Sequence, residues 1–225
     1  MIAKEELNIL WSLEQTAEKY EDRVAVSDVN QELTWKGLVK KAQVIGAELS
    51  KKVQPGNPIP VLLEKSSETL AVMLGIVYAG CFYVPVNPMN PAERLRKIME
   101  KLEPEVIISD EKGKEQLEAV GVGLEEKVIG PETLLPTTGT DLSEEQRSKL
   151  EQIQGQWKET DALYGIFTSG STGTPKAIVV SHGAVSRFVR HFTEIFEITS
   201  EDVIGNQAPF DFDVSVKDIY TGLLT

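Results

Sequence analysis

Residues 168–176 read Thr168-Ser169-Gly170-Ser171-Thr172-Gly173-Thr174-Pro175-Lys176, a run of hydroxyls and glycines that ends on a cation. Apolar runs flank it, Ala162-Leu163-Tyr164-Gly165-Ile166-Phe167 before and Ala177-Ile178-Val179-Val180 after. Each has the length and composition of a core strand. The chain must therefore fold so that two buried strands enclose a polar turn anchored at both ends. The turn's backbone N–H groups have no ladder partners. With the Ser and Thr hydroxyls they can wrap an anion, and Lys176 adds a point charge. The natural anion is a polyphosphate. No Gly-x4-Gly-Lys-Ser/Thr pattern can be laid on the stretch, so it is not a Walker A loop. The competing reading is a flexible linker, which Gly/Ser composition often means. The shortness of the stretch and its apolar flanks count against that.

The remainder alternates helical and strand patterns. Leu10, Leu13, Ala17 and Tyr20 form a helical stripe, 24–26 a strand, 28–31 a turn and 33–35 a short strand. Leu38, Ala42, Ile45 and Leu49 form a second helical face, which Pro55-Gly56 ends. Residues 59–63 read as a strand whose Pro60 suggests a sheet edge. Residues 69–86 carry no charge and imitate a membrane span. Gly75, Gly80 and Pro85 interrupt it, so it reads as a buried helix, a turn at Ala79-Gly80 and a buried strand. Asn90 and Pro91 start a helix with Asn90 as its cap, followed by a strand at 105–109. Residues from about 130 to 158 are polar and form an exposed excursion, in which Ser143-Glu144-Glu145-Gln146 caps a short helix. Beyond Ser181-His182-Gly183 comes a helix with Val185, Phe188, Val189, Phe192 and Phe196 on a core face. Alternation of this kind predicts a layered α/β/α fold with a mainly parallel sheet flanked by helices.

Composition narrows the function. A net charge of -12 argues against nucleic acid or an anionic membrane surface as the main partner, although a local loop can still bind ATP. Cys81, the one cysteine, lies in an apolar context. A disulfide within the chain is therefore excluded, and the expected setting is a reducing cytoplasm. His182 and His191 lack ligand partners at metal-binding spacing, so no metal site is expected. The N-terminal residues Met1-Ile2-Ala3-Lys4-Glu5-Glu6 do not resemble a signal peptide.

The stretch 164–176 closely resembles the signature loop of the adenylate-forming (AMP-binding) superfamily, which includes acyl-CoA synthetases, luciferases, peptide-synthetase adenylation domains and D-alanyl carrier protein ligases. Ala177 departs from it, because glycine usually follows the Pro-Lys pair. Leu33-Thr34-Trp35-Lys36-Gly37-Leu38 and Tyr78-Ala79-Gly80-Cys81-Phe82-Tyr83-Val84-Pro85-Val86 resemble two further structural segments of the family, with Asn87 where aspartate is commoner. Phe212-Asp213-Val214-Ser215 matches the Phe-Asp-x-Ser motif of members that use amino acids. The register is set by Ser215, which stands two residues after Asp213. The resemblance implies that Asp213 pairs with the substrate's α-ammonium, as a buried ammonium requires. By its residues alone Asp213 reads rather as an ordinary helix N-cap, and the resemblance reverses that preference.

Residues 206–220 look most like the D-alanyl carrier protein ligases. The resemblance therefore implies an ATP-dependent ligase: a carboxylate and ATP give an acyl adenylate and pyrophosphate. The acyl group then passes to a phosphopantetheine thiol on a carrier protein. In this scheme Thr168, Ser169, Gly170, Ser171, Thr172, Gly173, Thr174 and Lys176 hold the phosphates, Lys176 is catalytic, Mg²⁺ bridges the phosphates, and Asp213 holds a small amino acid such as D-alanine. The alternatives are an acyl-CoA synthetase and a non-catalytic nucleotide-binding module. Residues 1–225 would form the N-terminal part of the family's large domain. The adenine-facing segment, the ribose aspartate and the C-terminal lysine have no counterpart in the chain. A fragment inactive by itself is the expectation.

Overall fold

The computed structural model describes residues 5–121, 123–135, 141–168 and 175–225. Helix α1 (Ile9–Lys19) comes first, then the antiparallel pair β1 (Val24–Ser27) and β2 (Glu32–Thr34), and helix α2 (Trp35–Leu49). Asn8 caps α1, and Leu10, Leu13 and Ala17 are buried as the stripe requires. Trp35 opens α2 and does not end the strand, because the Thr34 hydroxyl accepts from the Gly37 N–H at 3.1 Å and starts the helix there.

Next come β3 (Pro58–Leu62), α3 (Ser67–Tyr78), β4 (Phe82–Pro85), α4 (Ala92–Leu102), β5 (Ile107–Ser109), α5 (Glu111–Val120), β6 (Val128–Ile129), α6 (Glu144–Gly155), β7 (Ala162–Thr168), β8 (Lys176–Ser181), α7 (His182–Phe196) and α8 (Asp213–Leu224). Among the described residues the larger sheet has six strands in the order β6-β5-β3-β4-β7-β8. All neighbours pair in parallel except β7 and β8, which form an antiparallel hairpin. Side chains of the central strands alternate between two layers. Ile59, Val61, Tyr83 and Ile108 face a cluster with α1, α2, α3, α7 and α8. Leu62, Val84, Val86 and Ile107 face a smaller one with α4 and α5.

The uncharged stretch is α3 and β4. Every residue of α3 except Glu68 is buried. The helix runs straight through Gly75, where a Cβ would stand 2.4 Å from Ile45 Cγ2 of α2; the turn is at Gly80, whose φ is +76°. No helix among the described residues is long and apolar enough to cross a membrane.

Several expectations need correction. Pro60 lies in β3, a central strand. Its missing N–H is harmless because the β3–β5 register begins only at Val61. Asn90 does not cap α4: Pro91 holds the N-cap position without a side-chain bond, and the Asn90 N–H donates to the Asn87 carbonyl in a turn at 3.0 Å. Helix α5 and strand β6 were not anticipated. Helix α5 buries only Gly113 and Leu117, too little for a periodic signal, although Asp110 caps its start and Gly121 (φ +68°) its end. The 130–158 excursion holds the capped helix α6, with both hydrogen bonds of its capping box. It is not wholly exposed, because Leu134 and Leu150 are buried in the larger cluster. Residues 136–140 lie outside the described residues.

Strand β8 is not a core strand either. It is the sheet's edge, and Ile178 and Val179 are about half exposed. In α7, Val185 and Val189 enter the core, while Phe188, Ile195 and Phe196 are exposed. The stripe of Phe188, Phe192 and Phe196 is stacked on itself along the helix, with ring centroids 5.7 and 4.5 Å apart.

Candidate functional site

The β7–β8 hairpin builds one side of the site. Thr168 ends β7 and Lys176 begins β8, and they are partners in the last register of the ladder. Both side chains are exposed beside the connection. Ser169, Gly170, Ser171, Thr172, Gly173 and Thr174 lie outside the described residues.

Asp213 lies on the other side, as the first residue of α8. It does not cap the helix: the N-cap position is Phe212, and no side chain makes the capping bond. The Ser215 hydroxyl, fully buried, donates to the Phe212 carbonyl at 2.7 Å and the Phe210 carbonyl at 3.3 Å. That is the physical reason for serine at this spacing: it fixes the turn that presents Asp213. Lys65 holds the preceding segment by donating to the carbonyls of Asn206 and, at 3.1 Å, Ala208. Asn206 Nδ2 in turn donates to the Ser215 carbonyl and to Asp218, each at 3.2 Å.

Asp213, itself exposed, lines an open cavity of about 430 Å³ formed by Tyr164 of β7, Val180 of β8, Val185 and Phe188 of α7, and Val214 and Lys217 of α8. Its lining is apolar except for Tyr164, Asp213 and Lys217. Lys217 is engaged elsewhere, pairing with the Asp218 carboxylate and lying 5.3 Å over the Phe192 ring. Asp213 makes no ion pair among the described residues, so a cation entering the cavity meets an uncommitted carboxylate. Burial, and next the Asp213 charge, push the Tyr164 phenol up. The Tyr164 ring stacks on Tyr83 with centroids 6.0 Å apart, and the Tyr83 and Tyr220 hydroxyls hydrogen bond at 3.0 Å. Tyr220 is two turns along α8 from Asp213, so this buried pair ties the helix to the sheet.

Strand β7 therefore joins the two motifs, although they are far apart in sequence. Its Tyr164 faces the Asp213 cavity, and its end carries Thr168. The sequence reading did not single out Tyr164, Val214 or Lys217 as cavity residues. For Lys217 a signal existed, since it follows Asp213 by one helical turn. Other reactive groups stay outside the site. Cys81 is buried, and burial pushes its thiol up to about 11. His182 is buried and accepts from the Ile9 N–H at 3.4 Å.

A profile of the AMP-binding enzyme family matches residues 13–225. The chain belongs to the AMP-binding enzyme family. Tyrocidine synthase 1 of Brevibacillus parabrevis is 31% identical over 213 residues, 94% of this chain and 19% of that protein. The D-alanine–D-alanyl carrier protein ligase of Staphylococcus aureus (strain Newman) is 29% identical over 216 residues, 95% of this chain and 40% of that ligase. Among solved structures, the nonribosomal peptide synthetase FmoA3 (S1046A) in its AMPPNP-bound form matches with a TM-score of 0.81 at 24% identity. It covers 99% of this chain and 22% of that one. VinN in complex with L-aspartate also has a TM-score of 0.81, at 22% identity, over 97% of this chain and 60% of its own. These two likenesses show the fold. The chain thus spans less than two thirds of the length of each of these relatives.

Proposed function

We propose that this protein is an ATP-dependent amino-acid adenylating ligase, with D-alanine or another small amino acid as its substrate. The observation that carries the reading is the uncommitted Asp213 carboxylate in a largely apolar cavity beside the strand that ends at Thr168. An ammonium leaving water needs an anionic partner, and Asp213 supplies it; a fatty-acyl substrate would have no use for that charge. The peptide synthetases and the D-alanyl carrier protein ligase among its relatives support an amino acid over a fatty acid.

The residues fit a MgATP substrate: Lys176 offers an exposed ammonium and Thr168 a hydroxyl at the mouth of the hairpin. In the reaction, a carboxylate oxygen of the amino acid attacks the α-phosphorus of ATP in line. The P–O bond to pyrophosphate breaks, giving aminoacyl adenylate and pyrophosphate. Lys176 holds the β- and γ-phosphates and stabilises the charge developing on the leaving group. The thiol of a carrier protein's phosphopantetheine then attacks the acyl carbon, forming a thioester and releasing AMP.

The test compares Asp213→Ala with wild type on D-alanine and on propionate, in the full-length protein, with a melting curve for each. Removing the carboxylate takes away a charge-assisted contact worth about 1.5–3 kcal/mol, so activity on D-alanine should fall roughly ten- to a hundredfold while activity on propionate changes little. An equal loss on both substrates, with a lowered melting temperature, would sink the assignment of Asp213 and with it the amino-acid substrate.

A further inference from the structure

Both ends of the 168–176 stretch are held by one helix. Arg94 Nη2 of α4 donates to the Phe167 carbonyl at 3.1 Å, and Lys101 Nζ of α4 donates to the Pro175 carbonyl at 3.4 Å. The two cations stand seven residues apart, about two helical turns, and so share one face of the helix. The helix is itself rigidly seated: Leu95, Ile98 and Met99 are each at most 2% exposed in the cluster against the sheet. The Phe167 ring packs against the same cluster.

Local chemistry favours the first bond. The β4–β7 register consists of Tyr83 against Tyr164, and Pro85 has no N–H with which to extend it. The Phe167 carbonyl, three residues beyond Tyr164, receives its donor from Arg94 in place of a strand. The second bond holds the carbonyl of Pro175, a buried residue directly before Lys176. The Arg94 charge also opposes the rise that burial imposes on the Asp211 carboxyl, two residues before Asp213.

We propose that Arg94 and Lys101 are positioning residues for nucleotide binding: by fixing the Phe167 and Pro175 carbonyls, they set the spacing and direction of Thr168 and Lys176. Neither has to touch the nucleotide. This rests on the reading of 168–176 as the phosphate-binding stretch. A wandering hairpin end would still allow the amino acid to bind but would weaken the hold on ATP, so the two substrates should respond differently to loss of either cation.

The experiment is ATP–pyrophosphate exchange by the full-length protein with D-alanine, comparing wild type with Arg94→Gln, Arg94→Lys, Lys101→Gln and Lys101→Arg, each with a melting curve. Loss of a charge-assisted hydrogen bond should raise the KM for ATP about tenfold in Arg94→Gln and about threefold in the more exposed Lys101→Gln. The KM for D-alanine should stay within about twofold, and the charge-conserving variants should recover part of the loss. Unchanged KM values for ATP in both Gln variants, with an active wild type, would overturn the inference alone. So would a fall in kcat with both KM values intact and a lowered melting temperature, which marks a purely structural role. Wild type without exchange on any amino acid would instead overturn the functional reading on which it stands.

Discussion

Helices α3 and α7 both carry apolar residues that the sequence assigns to the core, yet they occupy opposite situations. Helix α3 is buried all round, pressed between α2 and the sheet with Gly46 and Gly75 at the contact. Helix α7 is buried at one end and along one narrow side. His182 is 3% exposed, whereas Phe188 is 47% and Phe196 62% exposed. The difference is one of surroundings. Helix α3 has neighbours on every side and no charge after Glu68. Helix α7 sits by the sheet's edge strand, and its aromatics stack mainly on each other. An apolar residue is a request for burial, which the fold grants only where another layer covers it.

The largest expected effect lies in α3. Leu74→Ala, at a residue with no exposed surface, should cost about 2–5 kcal/mol, read from urea unfolding. Gly75→Ala should cost about 1–3 kcal/mol, because the new methyl meets Ile45 Cγ2 and Cβ at 2.4 and 2.6 Å. A neutral outcome there would mean that the α2–α3 contact is looser than the structure has it.

The buried end of α7 should respond to pH. Burial holds the His182 imidazole down at about 3, against 6.5 in the unfolded chain. Above pH 6.5 both states are neutral and nothing is lost. Below it the unfolded chain binds a proton that the folded one refuses, so stability falls as pH drops from 6.5 towards 3. By pH 5 the loss from this group is about 2 kcal/mol. In His182→Asn the stability difference between pH 7 and pH 5 should shrink by that amount, and an unchanged difference would show that the imidazole is solvated.

The smallest effect belongs to the outer face of α7. Phe196→Ala should change stability by no more than about 0.5 kcal/mol, as for an ordinary surface position. A cost as large as that of Leu74→Ala would erase the contrast between the two helices and show that this face is covered in solution.

The same contrast explains what could be read from the sequence. Helix α3, β4 and β7 were legible because composition, length and turn chemistry agree there, whereas the apolar composition of β8 predicted a burial that its edge position does not give. The capping box of α6 was legible because Ser143 and Gln146 act locally. Helix α5 was missed because its two buried residues make no stripe, and its signal lay in its caps. Pro60 misled because a proline in a central strand is tolerated wherever the neighbouring ladder has not begun, which the sequence does not display.

For the candidate site, the Phe-Asp-x-Ser resemblance singled out Asp213, and local pattern singled out Thr168 and Lys176 as the ends of a contiguous hydroxyl-rich turn. Local pattern also determined the alternation of strands and helices, through the periodicity of apolar residues. Only the tertiary structure decided that β7 carries Tyr164 against Asp213 and Thr168 at its end, that Arg94 and Lys101 reach the hairpin's two stems, and that the α7 aromatics point outward. These depend on strand order and on which helix lies across which strand end. Those in turn are set by packing between residues distant in sequence, and no local pattern encodes them.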